Sequence, residues 1–137
     1  MNEIVRLLID DCINEYDDYC KAGKNDIIKY GTPPLRLIIY QIEYYNMGKT
    51  ERLGKRITAW NYSNGILTEI PTDTKPDTEH ISGMFFSEAY AEITYDGNGT
   101  AFYALYMGRR FARCYRYSYV FENNECELTD KKIVWVS

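Results

Sequence analysis

Aromatic and cationic side chains alternate with a period of two between residues 109 and 121, and this pattern limits the possible folds more than any other feature. The segment is Arg-Arg-Phe-Ala-Arg-Cys-Tyr-Arg-Tyr-Ser-Tyr-Val-Phe. Successive side chains of a β-strand point to opposite faces of the sheet. We therefore predict a strand in which one face carries the odd-numbered residues: Phe111, Arg113, Tyr115, Tyr117, Tyr119 and Phe121.

This face has two interpretations. Tyrosine and arginine are frequent in binding hot spots, because they combine a large contact area with directional hydrogen bonds. The same residue types also pack the half-buried faces of ordinary sheets. The pattern predicts architecture, and it leaves the use of the face open.

Length and composition predict one globular domain that comprises residues 1–137. A chain of this size buries about two-thirds of its unfolded surface, so it needs no metal or disulfide to fold. No stretch approaches the roughly 20 apolar residues that span a bilayer. The first residues lack the basic start and the small-residue cleavage site of a secretion signal. We expect a cytoplasmic protein that is not embedded in a membrane.

Cysteine usage is consistent with that compartment. None of Cys12, Cys20, Cys114 and Cys126 forms a Cys-x-x-Cys pair. Cys12 and Cys20 lie two helical turns apart on an apolar stripe. We predict reduced and mostly buried thiols, with a disulfide or a thiolate nucleophile as the alternative.

Helical periodicity dominates the N-terminal part of the chain. Apolar residues recur at helical spacing through the first twenty residues and predict an amphipathic helix that ends near Gly23. A short amphipathic segment, residues 25–30, predicts one more helical turn. A second long helix is predicted for residues 35–48, because Thr32-Pro33-Pro34 is typical of a helix start and apolar residues follow at helical spacing.

From residue 57 the period changes to two. Residues 57–62 and 66–70 flank Asn64-Gly65, a dipeptide that tight hairpin turns favour. An exposed loop is predicted for residues 71–79, which are rich in threonine, aspartate and proline. Four more strands follow, joined by turns that contain glycine or asparagine: residues 84–95, 100–107, 109–121 and 126–136.

Helices followed by strands indicate an α+β fold. We expect two N-terminal helices packed on one face of a curved antiparallel sheet, which consists of a hairpin and a C-terminal meander. This order of elements is similar to that of the cone-shaped NTF2-like and cystatin-like folds.

Negative charge is concentrated in the N-terminal helix. Residues 1–20 carry six carboxylates and one arginine, a formal charge of −5, whereas the whole chain carries −4. Asp10 and Asp17, and likewise Asp11 and Asp18, lie two helical turns apart and predict an acidic stripe. The stripe is either a solvated helix face or a surface that attracts a partner of opposite charge.

Motifs for catalysis are few. Gly48-Lys49-Thr50 lacks the first glycine of a phosphate-binding loop, and Asp96-Gly97-Asn98-Gly99 has too few oxygen ligands for a calcium loop and predicts a turn. His80 is the only histidine, so any histidine-based metal site would need it. Glu88 and Glu92 would lie on the same face of one strand, where they could act as an acid–base pair or be two solvated charges. We expect no metal and no cofactor, and the residues favour a non-enzyme.

Nucleic acid is disfavoured as a partner. Residues 109–116 match the RNA-recognition consensus at only three positions. The net charge of −4 also provides no overall positive field for phosphates.

Two functional hypotheses follow. The first is a non-catalytic inhibitor, like the small cytoplasmic immunity proteins that neutralise bacterial toxins, in which an acidic helix attracts a basic toxin or nuclease and tyrosines anchor it. Its contact residues would be Glu3, Asp10, Asp11, Asp17 and Asp18.

The second hypothesis is a small-ligand pocket, or an enzyme of the NTF2-like kind, beneath the sheet. Its lining would be Arg113, Tyr115, Tyr117 and Tyr119, with the arginine binding an anion. We prefer the inhibitor hypothesis, because no residue pattern favours catalysis and the acidity is confined to one helix.

Overall fold

Two helices and seven strands form the described part of the chain. The computed structural model describes residues 3–22, 25–45, 52–75, 77, 85–108 and 111–136. The helices are α1 (Glu3–Lys21) and α2 (Asn25–Tyr30). The strands are β1 (Leu35–Tyr45), β2 (Arg52–Ser63), β3 (Ile66–Ile70), β4 (Phe85–Tyr95), β5 (Thr100–Gly108), β6 (Phe111–Glu122) and β7 (Glu125–Val136).

The strands form a single sheet in the order β3-β2-β1-β4-β5-β6-β7. All neighbouring pairs are antiparallel except β1 and β4, which run parallel. The N-terminal strands β1–β3 therefore form one antiparallel unit, and β4–β7 form the predicted meander. The α+β prediction is confirmed in this form: helix α1 packs on an open, mostly antiparallel sheet.

The long helix predicted for residues 35–48 is wrong, because residues 35–45 form β1, an interior strand of the sheet. Leu37 and Ile39 are fully buried on the face that α1 covers, and Ile38 is 3% exposed on the opposite face. A strand that is buried on both faces has an almost continuous apolar sequence, which also fits helical spacing. Isoleucine at positions 38 and 39 favours the strand. Of the two long helices predicted, only α1 is present, and the short helical segment predicted for residues 25–30 is confirmed as α2.

Helix α1 covers one face of the sheet, called the inner face below. Its buried residues are Ile4, Val5, Leu8, Ile9, Cys12 and Tyr16. They belong to one core cluster with apolar residues of β1, β4, β5 and β6. Each aliphatic side chain buried in this way stabilises the fold by about 1.5–3 kcal/mol. Within the described ranges, no helix has the length and apolarity needed to cross a membrane.

Strand β6 shows the predicted period of two. Tyr115, Tyr117 and Tyr119 are buried in the inner-face core, whereas Arg116 and Ser118 are exposed on the opposite, outer face. Arg109 and Arg110, which the prediction included in this strand, lie outside the described residues.

Asparagine and glycine form the hairpin turns. Asn64 and Gly65 have φ angles of 52° and 78°, and the predicted hairpin between β2 and β3 is confirmed. Asn123 and Asn124 have φ angles of 52° and 64° between β6 and β7. Positive φ at both central residues matches the twist of a two-residue hairpin. Residues 71–75 and 77 of the predicted loop lie outside helices and strands.

The turn between β4 and β5 is held by Asp96. One carboxylate oxygen accepts hydrogen bonds from the backbone N–H groups of Asn98 and Thr100, both at 2.9 Å. The Tyr119 hydroxyl donates to the Asp96 carbonyl oxygen, and the Tyr119 N–H donates to the Gly99 carbonyl oxygen at 2.9 Å. The sequence prediction of a turn at residues 96–99 is confirmed.

We predict that Gly99→Ala destabilises the protein by about 1–3 kcal/mol, because Gly99 has a φ of 94° and a Cβ atom there would lie 2.9 Å from the Tyr119 carbonyl oxygen. Gly97→Ala is the matched control, since a Cβ atom at Gly97 has no neighbour within 4 Å. Urea unfolding measures both free energies. Equal losses in the two variants would contradict the crowding at Gly99.

Candidate protein-binding surface

The structure divides the predicted acidic stripe of α1 into two groups. Asp10 and Asp18 are exposed, whereas Asp11 and Asp17 are half-buried, as is Glu3. Among the described residues, the Asp10 and Asp18 carboxylates make no hydrogen bond or ion pair. Only part of the predicted stripe is therefore available for contact with a partner.

The solvent-facing line of α1 is not purely acidic. Arg6 and Lys21 are exposed along with Asp10 and Asp18, so the charged groups on this line balance. The helical spacing of about four residues places these side chains on one side of α1. The strong negative charge of residues 1–20 is thus located mainly at the flanks of the helix, next to the sheet.

Asp11 and Glu15 bind Lys131 of β7. The Lys131 Nζ atom lies 3.0 Å from Asp11 Oδ2 and 3.2 Å from Glu15 Oε1. The same ammonium group lies 4.3 Å from the centre of the Tyr115 ring, and the Tyr117 hydroxyl donates a hydrogen bond to Asp11. We call these five residues the Lys131 cluster.

The Lys131 cluster favours a charged ammonium group. Burial by itself would lower the pKa of Lys131, but the hydrogen bonds to Asp11 and Glu15 outweigh it, and the pKa is raised. The ring faces of tyrosines also attract a cation. Asp11 therefore has a structural role, since it ties the first helix to the last strand.

Asp17 ties the other end of α1 to β2. Its carboxylate accepts a hydrogen bond from the Tyr62 hydroxyl at 3.1 Å, and the Tyr62 ring packs edge-on against Tyr16 at 5.7 Å. These three residues line a cleft of about 310 Å³, together with Cys20 and Lys21 of α1. Burial raises the pKa of the Cys20 thiol, which disfavours a thiolate there.

The cysteines are free thiols in the structure. Cys12, Cys114 and Cys126 are buried, and Cys20 is half-buried. Burial also raises the pKa of Cys12, so neither thiol of α1 has the lowered pKa of a typical nucleophile.

The residues of the predicted pocket lie together on β6, but they have different environments. Tyr117 and Tyr119 donate their hydroxyl hydrogens to protein oxygens, and the Tyr115 and Tyr117 rings pack 5.1 Å and 5.5 Å from the Tyr103 ring. The Arg113 side chain is 43% exposed and lies 3.9 Å from Glu15 Oε2. The tyrosines are thus part of the core, and the guanidinium group is at its margin.

Glu88, one of the two glutamates considered for acid–base chemistry, is fully engaged. One of its oxygens lies 3.0 Å from Arg36 Nη2, and the other accepts the backbone N–H of Asp77 at 2.8 Å. Glu92 is exposed. Within the ranges given above, no three His, Cys, Asp or Glu side chains are arranged to hold a metal. Gly23, Gly48-Lys49-Thr50 and His80 lie outside the described residues.

Sequence reasoning missed a run of exposed apolar residues in the described part of the chain. The C-terminal end of β7 carries four consecutive exposed apolar residues, which we call the β7 apolar end: Ile133 (65% exposed), Val134 (51%), Trp135 (38%) and Val136 (60%). The run is visible in the sequence, but it is equally typical of a buried strand. Its exposure follows from the position of β7 at the edge of the sheet.

Carboxylates occupy the other end of the same edge. Glu122, Glu125 and Glu127 are exposed around the hairpin between β6 and β7. Strand β7 therefore begins with exposed carboxylates and ends with exposed apolar residues. Between them, Lys131 is bound by Asp11 and Glu15, and Lys132 Nζ lies 3.7 Å from Asp130 Oδ2. Comparisons with known proteins add no assignment, since no family model, no curated protein and no solved structure matches this chain.

We predict that the protein loses stability above about pH 10. Burial raises the pKa of the Tyr16, Tyr103 and Tyr117 hydroxyls, so the folded state keeps protons that unfolded tyrosines release near pH 10. For each tyrosine that stays protonated only in the folded state, the free energy of unfolding falls by about 1.4 kcal/mol per pH unit above pH 10. The raised pKa of Lys131 acts in the same direction, because its contribution is complete below about pH 10.5 and is lost above it.

Absorbance at 295 nm and circular dichroism, recorded from pH 7 to pH 12, measure this effect. The buried tyrosines should ionise together with loss of the folded signal. Ionisation of all tyrosines near pH 10 with the fold intact would contradict the prediction.

Proposed function

We propose that this protein is a non-catalytic protein-binding module that inhibits a basic partner, as immunity proteins inhibit toxins. The β7 apolar end is the observation that carries this proposal, with Ile133 and Val136 at least 60% exposed. Contiguous exposed apolar residues on a soluble domain commonly mark an interaction surface. Trp135 belongs to the residue type most enriched in binding hot spots.

Exposed carboxylates supply the charge preference. Asp10 and Asp18 on α1, and the three glutamates near the β6–β7 hairpin, are available to attract a basic surface. Five acidic residues were predicted from the sequence as contact residues. Of these, Asp11 and Asp17 bind Lys131 and Tyr62 within the protein, and Glu3 is half-buried. A basic toxin domain in the cytoplasm is the partner class that this arrangement suits.

A second candidate function is the binding of a small anion at Arg113, as in the predicted small-ligand pocket of an NTF2-like domain. The exposed guanidinium group at the margin of the tyrosine core favours it. The first candidate has more support, because the Tyr117 and Tyr119 hydroxyls already bind protein oxygens.

The first test concerns the β7 apolar end. The tagged protein is used to capture its partner from a lysate of its source, and the affinity of the identified partner is then measured. We expect Ile133→Ala combined with Trp135→Ala to weaken binding about 30-fold or more, as loss of a hot spot does. Ile66→Ala is the matched control, since Ile66 is also 65% exposed but lies on the opposite edge strand β3. Equal affinity in all variants would refute the proposal.

The second test concerns the exposed carboxylates of α1. We expect Asp10→Lys with Asp18→Lys to lower the association rate about tenfold at low salt and to reduce its salt dependence. The control, Glu69→Lys with Asp73→Lys, makes the same charge change at exposed positions on β3 and in the following loop. Stopped-flow kinetics at several salt concentrations measure the rates. An unchanged rate in the α1 variant, or an equal loss in the control, would remove α1 from the steering surface.

A further inference from the structure

We infer that the partner binds by adding a strand to the free edge of β7, and that this strand carries cationic residues at one end and apolar residues at the other. The inference rests on the proposed protein-binding function and specifies how the partner is held. The occupant is an extended segment of a basic protein.

The edge of β7 is open to strand addition. In the described part of the chain, β7 pairs with β6 on one side and with no strand on the other. An unpaired edge presents a row of backbone N–H and C=O groups that an extended segment can bind. At 12 residues, β7 is also long enough to pair with a substantial segment.

The β7 apolar end is exposed on both faces of the sheet. Ile133 and Val136 are in register with Tyr115 and Arg113, which places them on the inner face, whereas Trp135 is in register with Cys114 on the outer face. A partner resting on one face would cover only one of these groups. Side chains of an added strand lie alongside both groups, because they alternate between the faces.

The edge is fixed in position before a partner arrives. Lys131 lies two residues before Ile133, the first residue of the apolar end, and is held by Asp11 and Glu15 of α1. Strand β7 is therefore fastened to the helix as well as to β6. A strand ordered in advance lowers the entropy lost on binding.

Charge along β7 favours a basic partner over a second copy of the chain. Glu125 and Glu127 are exposed in the first half of the strand. If two copies paired antiparallel over the whole strand, Val136 and Val134 of one would face these glutamates of the other. Carboxylates would then lie against apolar side chains without a counter-charge. Cationic residues opposite the glutamates, with apolar residues opposite the β7 apolar end, match both halves.

Two irregularities limit indiscriminate pairing. The register with β6 shifts between Cys114 and Tyr115 and between Ser118 and Tyr119, which leaves Val134 and Thr129 as extra residues in β7. Bulges of this kind twist an edge strand and hinder its pairing with arbitrary chains. The edge is thus available to a matched segment.

Synthetic ten-residue peptides test the inference on the intact protein. One peptide has an apolar N-terminal half and a lysine-rich C-terminal half, which matches β7 in the antiparallel direction, and the second has the reverse order. We expect one of them to bind saturably and to slow amide hydrogen exchange in residues 125–136. N-methylation of alternate backbone nitrogens should weaken that peptide at least about tenfold, since main-chain hydrogen bonds hold an added strand.

Protein variants provide the matched control. Ile133→Lys with Trp135→Lys should abolish binding of the peptide, whereas Ile66→Lys on β3 should leave it unchanged. Binding of neither peptide, or equal binding of the N-methylated form, would overturn the inference. Concentration-dependent dimerisation of the free protein with protection of residues 125–136 would assign the edge to a second copy and would overturn it as well.

Failure of this inference differs from failure of the proposed function. The double variant Ile133→Ala with Trp135→Ala could lose the captured partner, while that partner leaves amide exchange in β7 of the unsubstituted protein unchanged. Strand addition would then be wrong, and the protein-binding function would stand. If no variant affects a captured partner, the proposed function itself fails.

Discussion

The parallel contact between β1 and β4 is the constraint on which the rest of the sheet depends. Two antiparallel units, β1–β3 and β4–β7, become one sheet only through this pair. Parallel neighbours need a crossover connection, in contrast to the two-residue turns of hairpins. The pairing places β1 in the interior of the sheet, where Ile39 is buried on the inner face and Ile38 on the outer face, and it moves β3 and β7 to the two edges. Which strands lie at the edges of the sheet is therefore decided by the β1–β4 contact in its interior.

Electrostatic contacts at the flank of α1 then fasten one of those edges. Asp11 and Glu15 neutralise Lys131, and Tyr117 donates its hydroxyl hydrogen to Asp11. Removing only one member of such a partly buried group would leave its partners without compensation, which costs more than the intact group contributes. This requirement explains why much of the negative charge of α1 faces the sheet. The charge of a helix in sequence is consequently a poor measure of the charge that it presents to solvent.

Local signals predicted much of the fold but not the site. The period of two in β6 and the Asn64-Gly65 turn are determined by neighbouring residues, and both predictions are confirmed. The interior strand β1 was predicted as a helix because its consecutive buried residues Leu37, Ile38 and Ile39 occupy both faces, which removes the alternation that marks a strand. Partners of the α1 carboxylates lie 45 to 120 residues away in sequence, in β2, β6 and β7, so no local pattern distinguishes Asp11 from Asp10. Strand order decides which apolar run is exposed, and it is set by pairing between distant segments.

The two edges of the sheet differ in a way that favours β7 as the binding edge. Strand β3 has only five residues, and exposed Thr68 and Glu69 interrupt its apolar residues. Short edge strands with charged side chains are typical of edges that proteins protect from association. Strand β7 has 12 residues and ends in four exposed apolar ones. Edge position exposes a single large apolar residue on β3, Ile66 at 65%, whereas on β7 it exposes four in a row. This asymmetry supports the proposal that a partner binds at β7 and not at β3.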